Sequence, residues 1–190
     1  MKTKNIMIVG VGGQGTLLAS KLLGKMLLKK GYDIKVSEVH GMSQRGGSVV
    51  TYVRYGDRVY SPIIDKGEAD FILSFEQLES ARYADYLAPG GKIITNTQKT
   101  NPMPVITGAA VYPENLLSKL AEIGFDIDAI DALSLARKAG SDKCINIVLL
   151  GRISKYFDFS DEEWLTTIEE SVPPKFIEIN KKAFLLGKEE

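Results

Sequence analysis

Two short stretches hold most of the residues whose types and spacing suit binding chemistry. In GVGGQGT, residues 10 to 16, Gly10, Gly12 and Gly15 form a G-x-G-x-x-G pattern, with Gly13 and Gln14 inside it. Glycines at this spacing permit a tight turn and let a ligand approach the backbone. The unpaired N–H groups of a helix opening there carry partial positive charge, so the pattern suits a phosphate or another anion. Glu38 lies 23 residues beyond Gly15, near where a ribose-binding acid belongs in a dinucleotide fold. The second stretch, HGMSQRGGS at 40 to 48, carries the one histidine of the chain, His40, and the donors Ser43, Gln44 and Arg45 ahead of Gly46 and Gly47. A guanidinium holds a phosphate or carboxylate through two parallel hydrogen bonds. His40 suits acid–base work or a hydrogen-bond anchor, with no G-x-S-x-G elbow or nearby cysteine to pair with. Each stretch also admits a plainer reading: a strand–helix turn for the first, a turned connection with Arg45 in an ion pair for the second.

Strands and helices must position these loops. Asn5–Val9 is a short apolar run cut off by glycines and reads as a buried first strand. Leu17, Leu18, Leu22, Leu23, Met26 and Leu27 recur at helical spacing over Thr16–Lys30, and Gly31 fits the end of that helix. Lys21, Lys25 and Lys29 form a stripe on another face of it, solvated or binding. Ile34–Val39 reads as a second strand. Strands one and two are expected as parallel neighbours, which places both loops at one sheet edge, where ligands of α/β sheets collect. No second strand–helix unit follows: Ser48–Tyr55 is a third strand, with a turn at Gly56-Asp57 and a short returning strand.

Downstream, Phe71–Ser74 and Lys92–Thr95 read as strands separated by a helix over about 75–86 and a turn at APGGK. Glu76, Glu79 and Arg82 open that helix, as dipole-favoured acids with an i,i+3 pair or as a subunit contact. Prolines 102 and 104 mark an irregular segment. Glu114–Ile123 reads as a helix, Asp126–Ile130 as a strand, and 142–154, 161–171 and 176–186 as further helices, with Trp164 in core or interface. Strands alternating with helices predict an α/β fold, a three-layer α/β/α sandwich with a Rossmann-like, mostly parallel sheet and a β-hairpin, in one domain over 1–190.

Lys plus Arg equals Asp plus Glu at 24 each, which leaves no basic field for nucleic acid. No stretch approaches the ~18 apolar residues of a membrane span, and the apolar run behind the first lysines is cut short by glycines, unlike a secretory signal. A cytoplasmic protein is expected. The single cysteine, Cys144, cannot build a disulfide framework or a thiolate-held iron–sulfur cluster. Within KCINIVLLG it reads as a buried small hydrophobe, with a reactive thiol as the alternative.

GVGGQGTLLASKLLG followed by SEVHGMSQRGGSVVTYVRYG resembles the gamma-type subunit or domain of 2-oxoacid:ferredoxin oxidoreductases. The run EVHGMSQRGGSV, then YSPII, GEADFILSFEQLESAR, LAPGGKIITN, NIVLLG and INKKAFLLG, extends the likeness over nearly the whole chain and is most similar to the indolepyruvate type. The resemblance implies oxidative decarboxylation of aryl pyruvates within a heteromer. A large alpha subunit would carry thiamine diphosphate with magnesium and the 4Fe-4S clusters, ferredoxin would take the electrons and coenzyme A the acyl group. This chain, lacking the G-D-G start of a thiamine diphosphate motif, would be inactive alone. The resemblance also puts Gly10, Gly12, Gly13, Gln14, Gly15, Ser43, Gln44, Arg45 and Gly46 near coenzyme A. A stand-alone nicotinamide-dependent oxidoreductase using Glu38, and a nucleotide-binding regulatory module, remain alternatives.

Overall fold

The computed structural model describes residues 2–38 and 47–190. Six strands form one sheet: β1 (Lys4–Val11), β2 (Asp33–Glu38), β3 (Ser48–Gly56), β4 (Ala69–Ser74), β5 (Leu87–Asn96) and β6 (Asp126–Ile130), in the order β2-β3-β1-β4-β5-β6. β1, β4, β5 and β6 pair in parallel, whereas β3 runs antiparallel to both β1 and β2. β3 is therefore the one reversed strand. It corrects the expectation that β1 and β2 are neighbours, because β3 lies between them. Helical periodicity cannot report this, since pairing partners are set by long-range contacts and not by the local pattern.

Side chains of successive strand residues point to opposite faces. Ile6 and Ile8 of β1 join one apolar core and Met7 and Val9 the other. The first core is covered by α1 (Thr16–Lys29), α5 (Ala132–Ala139), α6 (Ile145–Ser154), α7 (Asp161–Glu169) and α8 (Ile177–Glu189). The second lies under the shorter α2 (Gln77–Arg82) and α4 (Leu116–Glu122). The chain is thus an α/β/α sandwich with one thick and one thin helical layer. Among the described residues no helix is long and apolar enough to cross a membrane.

In the thick layer α6 and α8 touch backbone to backbone. A Cβ on Gly151 would land on the Phe184 carbonyl, and one on Gly187 on the Val148 carbonyl. Beside this contact Arg152 of α6 grips Asp128 of β6, its Nε 2.8 Å from Oδ1 and its Nη2 2.6 Å from the same oxygen, while the Tyr156 hydroxyl donates to Oδ2 at 2.8 Å. Burial alone would raise the Asp128 pKa, but the Arg152 and Tyr156 hydrogen bonds outweigh it and hold the carboxyl below its ordinary value.

Several expectations are corrected. The APGGK turn lies inside β5: between Ala69↔Leu87 and Phe71↔Lys92 the register shifts, so the extra residues bulge out of the strand. A Cβ at Gly91 would stand 2.8 Å from the Ala69 carbonyl oxygen, so the bulge needs glycine there. No strand returns after β3 among the described residues; the antiparallel pairing expected there is made by β2 with β3. α5, unread in the sequence, is capped by the Asp131 side chain accepting from the Ser134 amide, and ends at Gly140 with φ of 124°. Two lysines of the α1 stripe are not simply solvated, since Lys25 and Lys29 both pair with Glu170 at the end of α7, at 3.0 and 2.6 Å.

Candidate functional site

The glycine loop leaves the carboxyl end of β1 and turns into α1. Gly13 and Gly15 have φ of 99° and 88°, left-handed backbone that glycine adopts without strain. Gly15 is the N-cap of α1, no side chain caps this end, and the first turn carries no acid. Among the described residues no side chain caps the first N–H groups of the helix, which carry the positive end of its dipole, and the carboxylate residue Glu38 shares a cleft with Thr16 and Leu17 at this end. Among the described residues nothing stands within 4 Å of a Cβ built on Gly13.

The five sequence-predicted residues of this loop divide in two. Gly12, Gly13, Gln14 and Gly15 line a cleft of about 610 Å³, together with Val11, Gln98, Thr100, Asp142, Lys143 and Ile145. Gly10 faces inward instead: a Cβ there would meet Gln14 Oε1 at 2.8 Å and Phe75 Cβ at 3.0 Å, so its smallness serves packing. Gln14 is also partly structural. Its Oε1 accepts from the Val11 amide at 2.7 Å, which folds the long polar side chain back across the turn.

Ser43, Gln44, Arg45 and Gly46, with His40, lie outside the described residues. Where the described chain resumes, the Gly12 amide donates to the Gly47 carbonyl at 2.9 Å, and Val11 pairs with Ser48. The exit of the second loop thus meets the first loop directly. The adjacency expected from parallel neighbours arises instead through the amino end of the reversed strand β3.

Sequence reading missed Gln98, Thr100 and Lys143. Gln98 and Thr100 follow the carboxyl end of β5, and the strand-end rule applied to NTQKT would have found them. Lys143 precedes α6, and only the tertiary fold carries it to the glycine loop. Asp142 also lines the cleft, but its carboxylate is taken by Arg137, with Nε to Oδ1 at 3.0 Å and Nη2 to Oδ2 at 3.2 Å. A cleft with an uncapped helix end, a lysine, neutral donors and a neutralised aspartate suits an anionic ligand.

Two buried carboxylates support the same edge. Glu76, the N-cap of α2, accepts through Oε2 from the Leu78 and Glu79 amides at 2.7 and 3.1 Å. It is a cap and not a first-turn acid as the sequence suggested. Glu79 is buried, and burial pushes its carboxyl pKa up, partly offset by the Ser48 hydroxyl and Arg82. Ser48 donates to Glu79 and lies 3.3 Å from the Tyr83 hydroxyl, so α2 holds the start of β3 where the second loop ends.

Glu38, at the end of β2, accepts from Ser20 of α1 at 3.0 Å and lines a second cleft of about 300 Å³ with Gly12, Gly13, Gly15, Thr16 and Leu17. It therefore stands beside the glycine loop, although β3 separates its strand from β1, unlike the adjacent second strand of a dinucleotide fold. Cys144 is buried, and burial raises its thiol pKa, as a small hydrophobe requires. One buried cysteine does not fit a thiolate-ligated cluster. Among the described residues no group of His, Cys, Asp and Glu stands together as a metal site.

The chain is similar to known proteins along its whole length. The family model described as pyruvate ferredoxin/flavodoxin oxidoreductase matches residues 5–190. Indolepyruvate oxidoreductase subunit IorB of Thermococcus kodakarensis is 47% identical, over 98% of this chain and 95% of that protein. In fold, the chain is similar to pyruvate oxidoreductase subunit PORC of Thermotoga maritima, with TM-score 0.76 at 22% identity, covering 100% of this chain and 97% of that one. It is also similar to 2-oxoglutarate:ferredoxin oxidoreductase of Magnetococcus marinus, solved with 2-oxoglutarate, coenzyme A and succinyl-CoA, with TM-score 0.74 at 18% identity, over 100% of this chain and 31% of that one. The full-length family match, and a close relative covered almost end to end, establish that the chain belongs to the pyruvate ferredoxin/flavodoxin oxidoreductase family.

Proposed function

We propose that this chain is the small subunit of a thiamine diphosphate-dependent 2-oxoacid:ferredoxin oxidoreductase of the indolepyruvate type. The observation that carries the reading is the 47% identity to an indolepyruvate oxidoreductase subunit over nearly the full length of both chains. The chain itself supports a division of labour. With one cysteine it cannot ligate clusters, so the large alpha subunit carries thiamine diphosphate, magnesium and the 4Fe-4S centres, and ferredoxin accepts electrons there. Alone, the small subunit is inactive.

Its own contribution is the anion cleft, and coenzyme A is the co-substrate with the matching chemistry. Gly13, which no described residue crowds, and the uncapped start of α1 suit a phosphate group. Lys143 adds charge, and Gln98 and Thr100 add neutral polar groups at the same cleft. When bound, coenzyme A supplies the thiol that accepts the acyl group. The residues of this chain hold and orient that ligand. Gln14, fixed to the Val11 amide, keeps the turn in shape, and Glu79 fixes the start of β3 beside it. Arg45, with Ser43, Gln44 and Gly46, extends the donor set from the second loop, where a guanidinium takes a phosphate bidentately.

Arg45→Ala is the test of the coenzyme assignment. In the assembled complex it raises KM for coenzyme A while kcat at saturating coenzyme A and the yield of complex stay near wild type. An unchanged KM for coenzyme A contradicts that assignment.

A further inference from the structure

From Asn101 to Pro113 the chain reads NPMPVITGAAVYP, thirteen residues without a charge. It includes the short helix α3 (Met103–Ile106) and links β5 to α4. Much of its apolar surface faces outward: Met103 is 65% exposed, Ile106 64% and Val111 87%. Scattered exposed hydrophobics are ordinary, but an uncharged run carrying three of them marks an interaction surface.

The segment is also fixed at both ends by one buried side chain. Glu76 is 1% exposed, and its Oε1 accepts from the Thr100 amide at 3.0 Å and from the Tyr112 hydroxyl. Its other oxygen caps α2. Lys99 lies 5.6 Å from the Tyr112 ring centroid, which adds a cation–π contact at the neck. A loop held this way keeps its apolar side chains exposed without collapsing them onto the domain. Ordering it in advance lowers the entropic cost of association.

We propose that residues 101–113 form a preformed docking arm for the large cofactor-bearing subunit, seated in an uncharged apolar depression of that partner. This rests on the functional reading above and names the surface it requires. Position selects the occupant. The segment begins next to Gln98 and Thr100, which line the anion cleft with the glycine loop. The subunit that brings a reacting acyl group to that cleft must cover this edge. A second copy of this chain docked here would close the cleft against a protein with no thiamine or clusters. The absence of charge across thirteen residues matches a dry apolar seat, because an unpaired charge buried at an interface is costly. The same fold also occurs as 31% of a longer chain.

The test coexpresses the tagged chain with its natural large subunit under anaerobic conditions and measures their affinity. Ile106→Asp/Val111→Asp should weaken it at least about 30-fold, as expected for charges buried without partners at an interface. The urea midpoint of the isolated chain should stay unchanged. Ile123→Asp is the control, since Ile123 is 73% exposed but ends α4 at the opposite edge of the sheet; it should bind like wild type. A milder Ile106→Ser/Val111→Ser pair serves if the aspartates disturb the fold. Wild-type affinity in the double variants overturns the docking arm and leaves the functional reading intact. A change confined to self-association of the isolated chain overturns it in favour of a contact between copies. A wild-type chain that does not bind the large subunit at all overturns the functional reading, and the arm with it.

Discussion

Between α6 and α8, Gly151 and Gly187 face filled space; in the loop before α1, Gly13 meets none of the described residues. The first two are glycines because the helices approach until backbone meets backbone, and any Cβ would strike a carbonyl. Gly13 is a glycine because its φ is 99°, and no described residue crowds its Cβ position. The same contrast runs through the layers around them. The centre of the thick layer is filled: Trp164 and Phe184 are fully buried, and Asp128 is gripped by Arg152. The carboxyl edge has an uncapped helix, an open cleft and an uncharged exposed loop, with its buried carboxylates spent on holding that edge in place.

Arg152→Met gives the largest effect, about 3–5 kcal/mol at neutral pH, because it strands a buried carboxylate. The sign with pH follows from Asp128. Its pKa lies below the ordinary 3.8 in the native state. In the wild type its stabilisation is therefore complete above that value and is lost as pH falls through the lower native pKa. In the variant burial acts without Arg152, Asp128 takes up a proton more readily, and the deficit shrinks as the solution is acidified. Urea unfolding at neutral and acidic pH measures both; a deficit independent of pH would show that Asp128 is not the stranded group.

Gly151→Ala comes next, at about 3 kcal/mol, since the added methyl forces α6 from α8 at a contact of backbone atoms. A shift of the urea midpoint below that of Gly13→Ala would contradict the close-packed reading. Gly13→Ala should cost only about 1–2 kcal/mol, the strain of a left-handed alanine. Its functional cost should exceed its structural one, seen as a raised KM for coenzyme A in the complex. A variant with ordinary KM would make Gly13 a turn residue alone.

Much of this division was legible in the sequence. The period of Leu17 to Leu27 predicts α1, the apolar run after Lys4 predicts a buried β1, and G-x-G-x-x-G marks the strand–helix turn. What escaped depends on distance along the chain. β3 slips between β1 and β2 because its register with both is a tertiary choice, and Ser48–Gly56 has a strand pattern whichever neighbours it takes. The bulge hides in APGGK because its glycines mean a turn in most contexts. α5 escaped because its buried face is largely alanine, at Ala132, Ala136 and Ala139, although Asp131 and Gly140 mark its ends. At the site, Lys143 reaches the glycine loop only through the fold, and Glu76, legible as an acid opening α2, also binds Thr100 and Tyr112 far from it in sequence.

An essential, cluster-free part of a 2-oxoacid oxidoreductase is the role proposed for this chain. Anaerobic reconstitution tests it most directly: the natural large subunit is assayed for indolepyruvate-dependent viologen reduction in the presence of coenzyme A, with and without this chain. Activity is expected only when both are present, and none from either alone. Full activity of the large subunit by itself, or binding of a nicotinamide cofactor by the isolated chain with no large partner recovered, would contradict it.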